Sequence, residues 1–268
     1  GASLSCFGAM GSWQPGEAVT PWLHPDWAPH GAGAPVTRFV CVSDTHGLHR
    51  QVLHKLPPGD VLVHAGDFTN VGERREVEDF AAWLDSQPHE QKVVIAGNHD
   101  LTLDPRFSAA ERRRFGLGPE DAAWDGREAM RRGAAGVSYL EDSGCVVRGG
   151  LEVWGSPVSP EFCSWAFNRE RGREISEHWR QIPKGTDVVV AHGPPEGQGD
   201  QVTWAMRCGC ADLARECFVR VKPFAVVAGH IHEGYGATVD RRSGTLCVNA
   251  STCTVKYKPT NPPIVFDV

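Results

Sequence analysis

The chain predicts an α/β fold built in layers, on three observations. Short apolar runs recur along its 268 residues, of the length that buried strands use. The first of these runs alternate with a helix-length stretch at short spacing, which favours parallel pairing with crossover helices. Several runs also end abruptly in Asp, Asn or His. Open α/β sheets place their chemistry beyond the carboxyl ends of the strands, so this is where functional side chains are expected.

Taken in order, residues 1–36 hold Trp13, Trp22 and Trp27 among Pro15, Pro21, Pro25 and Pro29. Prolines at that density block a helix, and the tryptophans are unlike a disordered tract. An extended arm laid over a single domain at 37–268 is expected. Residues 38–43 read as a strand, followed by the loop Asp44-Thr45-His46-Gly47. Residues 51–56 read as a short helix. Pro57-Pro58-Gly59-Asp60 then leads to a strand from Val61 that delivers Gly66-Asp67. Residues 73–86 read as an amphipathic helix, because Val77, Phe80, Ala81 and Leu84 fall at i, i+3, i+4 and i+7. Pro88 ends it. Residues 92–96 form a third buried strand, delivering Gly97-Asn98-His99-Asp100.

Residues 104–135 are polar and Arg-rich, which predicts a helical surface insertion. Strands at 137–140, 145–148 and 151–154, turning at Asp142-Ser143-Gly144 and Gly149-Gly150, predict an antiparallel portion. Helices near 170–180 and 211–221 precede strands at 187–191 and 224–228. Strands at 237–240, 245–249 and 264–267 close the chain. The tail beyond Asn249 reads as structural closure.

Composition excludes some functions. Apolar residues are 41% and charged residues 22%, ordinary for a soluble globular protein. A net charge of -6 opposes a general grip on nucleic-acid phosphates. It leaves room for a small phosphorylated substrate, because bound metal ions supply local positive charge. No apolar run approaches the ~20 residues of a membrane span, and no basic start with an apolar core suggests secretion. Nine scattered cysteines read as reduced thiols, so a cytoplasmic protein is expected. Cys208-Gly209-Cys210 with Cys217 lacks a second well-spaced pair, so no structural zinc is predicted there.

Five loops carry the functional signal: Asp44-Thr45-His46, Gly66-Asp67, Gly97-Asn98-His99-Asp100, His192-Gly193 and Gly229-His230-Ile231-His232. Singly, each has a dull explanation. Asp67 would cap a turn, Asn98 would hold a left-handed one, and a lone His after a strand is usually a hydrogen-bonded structural residue. Jointly, they bring carboxylate, amide and imidazole to one cleft. Such hard and borderline donors suit Mn²⁺, Fe, Zn²⁺ or Mg²⁺ rather than soft, thiophilic ions. No cysteine stands in any of the five loops. Asp67 reads as the centre of a two-metal site.

The ordered set D-x-H, G-D, G-N-H-D, H and G-H-x-H at residues 44–46, 66–67, 97–100, 192 and 229–232 resembles the signature of the calcineurin-like metallophosphoesterase superfamily. The resemblance spans about residues 38–268. It implies a four-layer αββα sandwich with two mixed β-sheets and a dinuclear centre at the sheet ends. His192-Gly193-Pro194-Pro195, the stretch 229–236 and the tail at 249–255 and 259–263 look like the vertebrate metallophosphoesterase-domain-containing (MPPED, or fetal-brain) family. Those proteins are metal-dependent phosphodiesterases acting on cyclic nucleotides, 2',3'-cyclic ones included, and some bind nucleoside monophosphates.

Residue by residue, the resemblance implies Asp44, His46 and His232 on a first metal. It implies Asn98, His192 and His230 on a second, and Asp67 bridging the two. Mn²⁺ is the expected occupant, ahead of Mg²⁺, Fe and Zn²⁺. His99 would be general acid or transition-state partner, oriented by Asp100. One branch of that family carries a small residue where His230 stands, so this chain is expected to hold both metals. The 104–135 insertion departs from the family pattern.

A water held between two such ions has its pKa lowered toward neutral and attacks phosphorus in line. Asn98 and His99 would add hydrogen bonds to the developing charge. Trp165, Phe167, Asn168 and Tyr235 are candidates to meet a nucleobase, and His49 to touch a phosphate. The expected partner is a small nucleotide substrate or a nucleoside monophosphate, with no membrane and no extended nucleic acid. The alternatives are a phosphomonoesterase or protein phosphatase, and a nucleotide-binding scaffold on a weakened esterase fold. Loss of a ligand would favour the scaffold, and no expected ligand is missing.

Overall fold

Each central strand is buried on both faces, and its alternation divides it between two cores. In the strand Arg38–Val42, Phe39 and Cys41 join a core shared with Val63, Ile95, Val190 and Val227. Val40 and Val42 face the other way, onto Phe80 and Leu84 of a covering helix. That division is why the runs show no polar face in sequence.

The computed structural model describes residues 36–132, 136–203 and 206–268. The expected N-terminal arm lies outside them, apart from Val36. One sheet runs in the order Ile264–Asp267, Arg38–Val42, Val61–Ala65, Gln91–Ile95, Val137–Tyr139, with only the first pairing antiparallel. The other runs Gly236–Val239, Leu246–Asn249, Ala225–Ala228, Val188–Ala191, Leu151–Ser156, Ser143–Val147. Its inner pairings are parallel and its two outermost are antiparallel. The sheets meet face to face over Phe39, Val63, Val188 and Val248. Helix Arg74–Asp85 covers the outer face of the first sheet, and helices Arg173–Trp179 and Ala211–Arg215 cover that of the second. The layers are therefore α, β, β, α, with both sheets mixed. Among the described residues no helix is long and apolar enough to cross a membrane.

Several elements differ from expectation, each for a physical reason. Residues 51–56 form no helix, and their burial alternates with period two: Val52, His54 and Leu56 are half-buried while Leu53 is 64% exposed. That is an extended segment, and six residues are in any case too few to nucleate a helix unaided. Val137–Tyr139 does not join an antiparallel portion; it pairs parallel with Lys92–Val94 in the first sheet. Only Ser143–Val147 and Leu151–Ser156 form the hairpin. Helix Ala211–Arg215 loosens into a π-helix over Glu216–Val221.

The 104–135 segment is more than a surface insertion. It holds short helices Ala109–Arg114, Pro119–Ala123 and Gly126–Arg131, and Phe107, Leu117, Ala122 and Met130 enter the helix-side core. At its centre Arg112 is 7% exposed. Its guanidinium donates to the carbonyls of Asp104, Ala122 and Trp124 at 2.8, 3.3 and 2.7 Å. Those bonds, from Nη1 and Nη2, offset much of the cost of burying the cation, whose Nε–H finds no partner.

Candidate metal centre

Parallel strands release their loops at one edge. Arg38–Val42, Val61–Ala65 and Gln91–Ile95 run parallel, so the loops beginning at Asp44, Gly66 and Gly97 emerge together. Val188–Ala191 and Ala225–Ala228 do the same in the facing sheet, releasing His192 and Gly229-His230. At four of the candidate ligands the backbone takes left-handed conformations: Asp44 (φ 51°), His46 (44°), Asp67 (54°) and His230 (67°). Such φ values are costly for residues with a Cβ, and a cluster of them marks a functional site. The loops also pass close together: a Cβ at Gly229 would fall on Asp44 Oδ2 and Ser43 Oγ.

Three overlapping sets of ligand atoms result, each gathered within 4.8 Å: Asp44, His46 and His232; His46, Asp67 and His99; Asp67, His192 and His230. His46 Nε2 lies 3.3 Å from His232 Nε2, which lies 3.5 Å from Asp44 Oδ1. His192 Nε2 lies 2.9 Å from Asn98 Oδ1 and 3.3 Å from Asp67 Oδ2. Asp67 thus joins two of the three sets, and His46 joins two.

The far nitrogens settle what the near ones offer. His192 Nδ1 donates to Ala65 O at 2.9 Å, and His232 Nδ1 donates to Thr254 O at 3.1 Å. A neutral imidazole tied in this way presents only a lone pair at Nε2. Those lone pairs converge on carboxylate and amide oxygens, so acceptors face acceptors. A divalent cation satisfies all of them at once, and the oxygen and nitrogen donors are the kind such ions take.

Without a cation, protons fill the gap. Burial pushes His192 and His232 down, but Asp67 beside the first and Asp44 beside the second lift each to about 9. Burial opposes ionisation of Asp44 and Asp67, yet the surrounding imidazoles hold both carboxyls below the usual range. Burial dominates at His46 and His230, which drop to about 4.

Asp100 sits behind this cluster. Its Oδ2 accepts from Gly97 N and Asp67 N at 2.8 and 3.0 Å, and its Oδ1 from Thr69 N and Oγ1 at 2.9 and 2.7 Å. It clamps two ligand loops together, and burial with Asp67 nearby pushes it up to about 8. It makes no bond to the ring of His99. That ring donates from Nδ1 to Asn70 O at 2.8 Å, while the His99 backbone N–H donates to Asp67 Oδ1 at 2.8 Å.

Of the substrate candidates, Trp165 comes to the site, stacked on His99 with ring centroids 4.2 Å apart. The others serve the scaffold. His49 is buried, bonded to Asp79 at 2.9 Å and packed on Phe80 and Trp83. Phe167 lies in the core. Asn168 holds Ser159 Oγ and Phe162 N, and the Tyr235 hydroxyl donates to Pro262 O. Among the described residues, no grouping of metal-binding size contains a cysteine.

Three participants were not anticipated. The Ser251 hydroxyl lies 2.9 Å from Asp44 Oδ2 and 2.8 Å from Asn249 Oδ1. Asn249 Nδ2 donates to Gly199 O and Ile231 O at 2.9 and 2.8 Å, bracing the loop that carries His230 and His232. Tyr257, 47% exposed, sets its ring 4.8 Å from that of His46 and 5.5 Å from that of His232. One signal was available: Asn249 is the last residue of a buried strand, as the ligand loops would suggest. Ser251→Ala is expected to weaken metal binding at the Asp44 set by ~10-fold or more, because partners behind a ligand set its orientation. Titration calorimetry with Mn²⁺ checks this; an unchanged affinity would remove Ser251 from the centre.

The family model of the calcineurin-like phosphoesterases matches residues 37–234. The chain is 46% identical over 249 residues to Metallophosphoesterase domain-containing protein 1 of Homo sapiens, covering 91% of this chain and 75% of the human one. The Mus musculus protein of that name gives the same figures. The UPF0046 protein T07D4.2 of Caenorhabditis elegans is 38% identical over 242 residues, covering 86% of this chain and 60% of its own. Among solved structures, TT1561 of Thermus thermophilus aligns with a TM-score of 0.50 at 12% identity, covering 81% and 90% of the two chains. That last likeness is one of fold.

Proposed function

The chain belongs to the calcineurin-like phosphoesterase family, and we propose that within it this protein is a dinuclear phosphodiesterase of cyclic nucleotides, 2',3'-cyclic ones first and 3',5'-cyclic ones second. The observation that carries this reading is that Asp67 groups with His192 and His230 in one ligand set and, in another, with His46, which also belongs to the Asp44 and His232 set. Asp44, His46 and His232 would hold one divalent ion, Asn98, His192 and His230 the other, with Asp67 between them and Mn²⁺ the favoured metal. Bound there, the ions supply Lewis acidity toward phosphoryl oxygens and a water of lowered pKa.

The chain's own groups complete the reaction. Asn98 spends its Oδ1 toward His192 and the metal set, which leaves its Nδ2 to donate to a phosphoryl oxygen. His99, with its Nδ1–H committed to Asn70 O, would protonate the leaving oxygen from Nε2–H as the imidazolium. Tyr257 offers a half-exposed ring at the edge of the centre for a nucleobase. Charge favours a diester. No Lys or Arg stands in any of the five ligand loops, so no side-chain cation there meets the second negative charge of a monoester.

The test is a turnover screen of Mn²⁺-reconstituted protein against 2',3'-cyclic AMP, 3',5'-cyclic AMP and AMP. The expected order of kcat/KM is as written. Preference for AMP would shift the reading to a phosphomonoesterase. Hydrolysis of none would shift it to a nucleotide-binding protein.

A further inference from the structure

We infer that Trp165 is a positioning residue for His99, held in place by the 104–135 segment, rather than a platform for the substrate's base; the inference rests on the reading of His99 as the acid of a phosphodiesterase. The indole has two aromatic neighbours. It stacks on the His99 imidazole at 4.2 Å with planes 27° apart, and Phe115 packs against it at 4.4 Å. Phe115 in turn meets Phe107 at 5.6 Å, and Phe107 is buried in the helix-side core. A column of rings thus runs from the core to His99. A base stacking on Trp165 would compete with those ring contacts.

The loop bearing Trp165 is built to hold a fixed pose. Its base is closed by the pairing of Ser159–Pro160 with Asn168–Arg169. Between them Cys163, Ser164 and Phe167 take left-handed φ values of 54°, 55° and 56°. Backbone in that region persists only where its surroundings over-determine it. Here Phe167 N–H donates to Asp104 Oδ2 at 2.6 Å and Ser164 N–H to Glu161 Oε1 at 2.8 Å. Asp104 is the residue whose backbone carbonyl accepts from Arg112, so the loop is anchored to the hub of the 104–135 segment.

His99 needs such a brace. Its ring has one hydrogen bond, from Nδ1 to Asn70 O, about which an imidazole can still tilt. A stacked face removes that freedom and fixes the direction of Nε2. In the proposed step the oxygen of water bonds to phosphorus as the bond from phosphorus to the leaving oxygen breaks. That oxygen takes the Nε2 proton of the His99 imidazolium, which is left neutral with its Nδ1–H still on Asn70 O; the proton lost by water passes to solvent, from which His99 regains its own. A positioned acid contributes only where its proton points at the leaving atom.

The experiment compares Trp165→Leu and Trp165→Phe with the unaltered, Mn²⁺-loaded protein on 2',3'-cyclic AMP and bis(p-nitrophenyl) phosphate. A sugar alkoxide needs a proton to leave and p-nitrophenolate does not. Trp165→Leu is expected to lower kcat on the cyclic nucleotide by ~10–100-fold. KM and metal content should hold, and the p-nitrophenyl ester should lose less than ~3-fold. Trp165→Phe should recover most of the loss, and adding Trp165→Leu to His99→Ala should cost nothing more. A raised KM with kcat kept would make Trp165 a base platform and overturn the inference. Equal losses on both esters would also overturn it. A second measurement needs neither metal nor turnover. In metal-free protein the Cε1 proton of His99 should resonate upfield under the indole ring current, and Trp165→Leu should abolish that shift; an unmoved resonance overturns the stack. An unaltered protein inactive on every phosphoester fails the diesterase reading, and the resonance still decides whether Trp165 holds His99.

Discussion

Asp67→Ala is expected to empty both proposed metal sites and to lower turnover by at least ~10³-fold, the scale on which electrostatic groups at a reacting centre act. The carboxylate is 2% exposed and stands 3.3 Å from His192 Nε2. It contributes to both the His46, His99 set and the His192, His230 set, and of the two residues shared between sets, His46 being the other, it alone reaches the His192 set. Asp67→Asn sharpens the test. It keeps the volume and an oxygen able to accept from the His99 N–H, so the fold should hold while the charge that draws the cations is lost.

The proton balance gives a second readout. His192 and His232 are lifted to about 9 in the metal-free protein, so at pH 7 both carry a second proton, at Nε2. Metal uptake must displace those protons, and the apparent affinity of the unaltered protein should rise with pH until about 9. Without Asp67, burial of His192 is opposed by less negative charge and its pKa falls. Proton release on Mn²⁺ binding, read by calorimetry in two buffers of different ionisation enthalpy, should then shrink. Full metal content and normal turnover in Asp67→Ala would sink the bridging role.

Why the centre was legible in sequence and its surroundings were not follows from chain geometry. A ligand one to four residues past a parallel strand inherits its place from the sheet, so Asp44, Asp67, Asn98, His192 and His230 can be located from the strand ends alone. Their supports come from far away. Ser251 meets Asp44 across 207 residues, and nothing local to either reports the pairing. His49 misled by proximity, for it lies just after the Asp44-Thr45-His46 loop. The turn closed by Leu48 N–H on Thr45 O sends its ring back under Phe80 and Trp83 instead. Trp165 was legible as an aromatic near the site but not as a partner of His99, because the backing from Phe115 depends on a segment whose arginines read as surface. Arg112 is the reason that reading failed: its charge is spent on three carbonyls inside the segment.

The second large effect is expected from a single methyl group. Gly97→Ala should abolish metal binding at the His192 set and cost ~1–3 kcal/mol of metal-free stability, the usual penalty of forcing atoms into a packed site. A Cβ there would fall on Asp67 Oδ1, and within 2.5 Å of both Asp67 N and His192 Cε1. Only Asp67 Oδ1 is the end of a side chain, and it accepts from the His99 N–H. Asp67 N is backbone, clamped by Asp100 at 3.0 Å, and the His192 ring is fixed from behind by Ala65 O at 2.9 Å. Relief must come from moving Asp67 off the line between the two ligand sets or from parting the Gly66 and Gly97 loops. Either motion widens the site by more than coordination bonds tolerate. Gly185→Ala supplies the contrast, since a Cβ there meets nothing within 4 Å and should change stability by less than ~0.5 kcal/mol. Metal content by atomic emission and thermal melts with and without Mn²⁺ separate the outcomes. If Gly97→Ala binds Mn²⁺ as the unaltered chain does, the close packing of Asp67 and His192 about this position does not set the geometry of the centre.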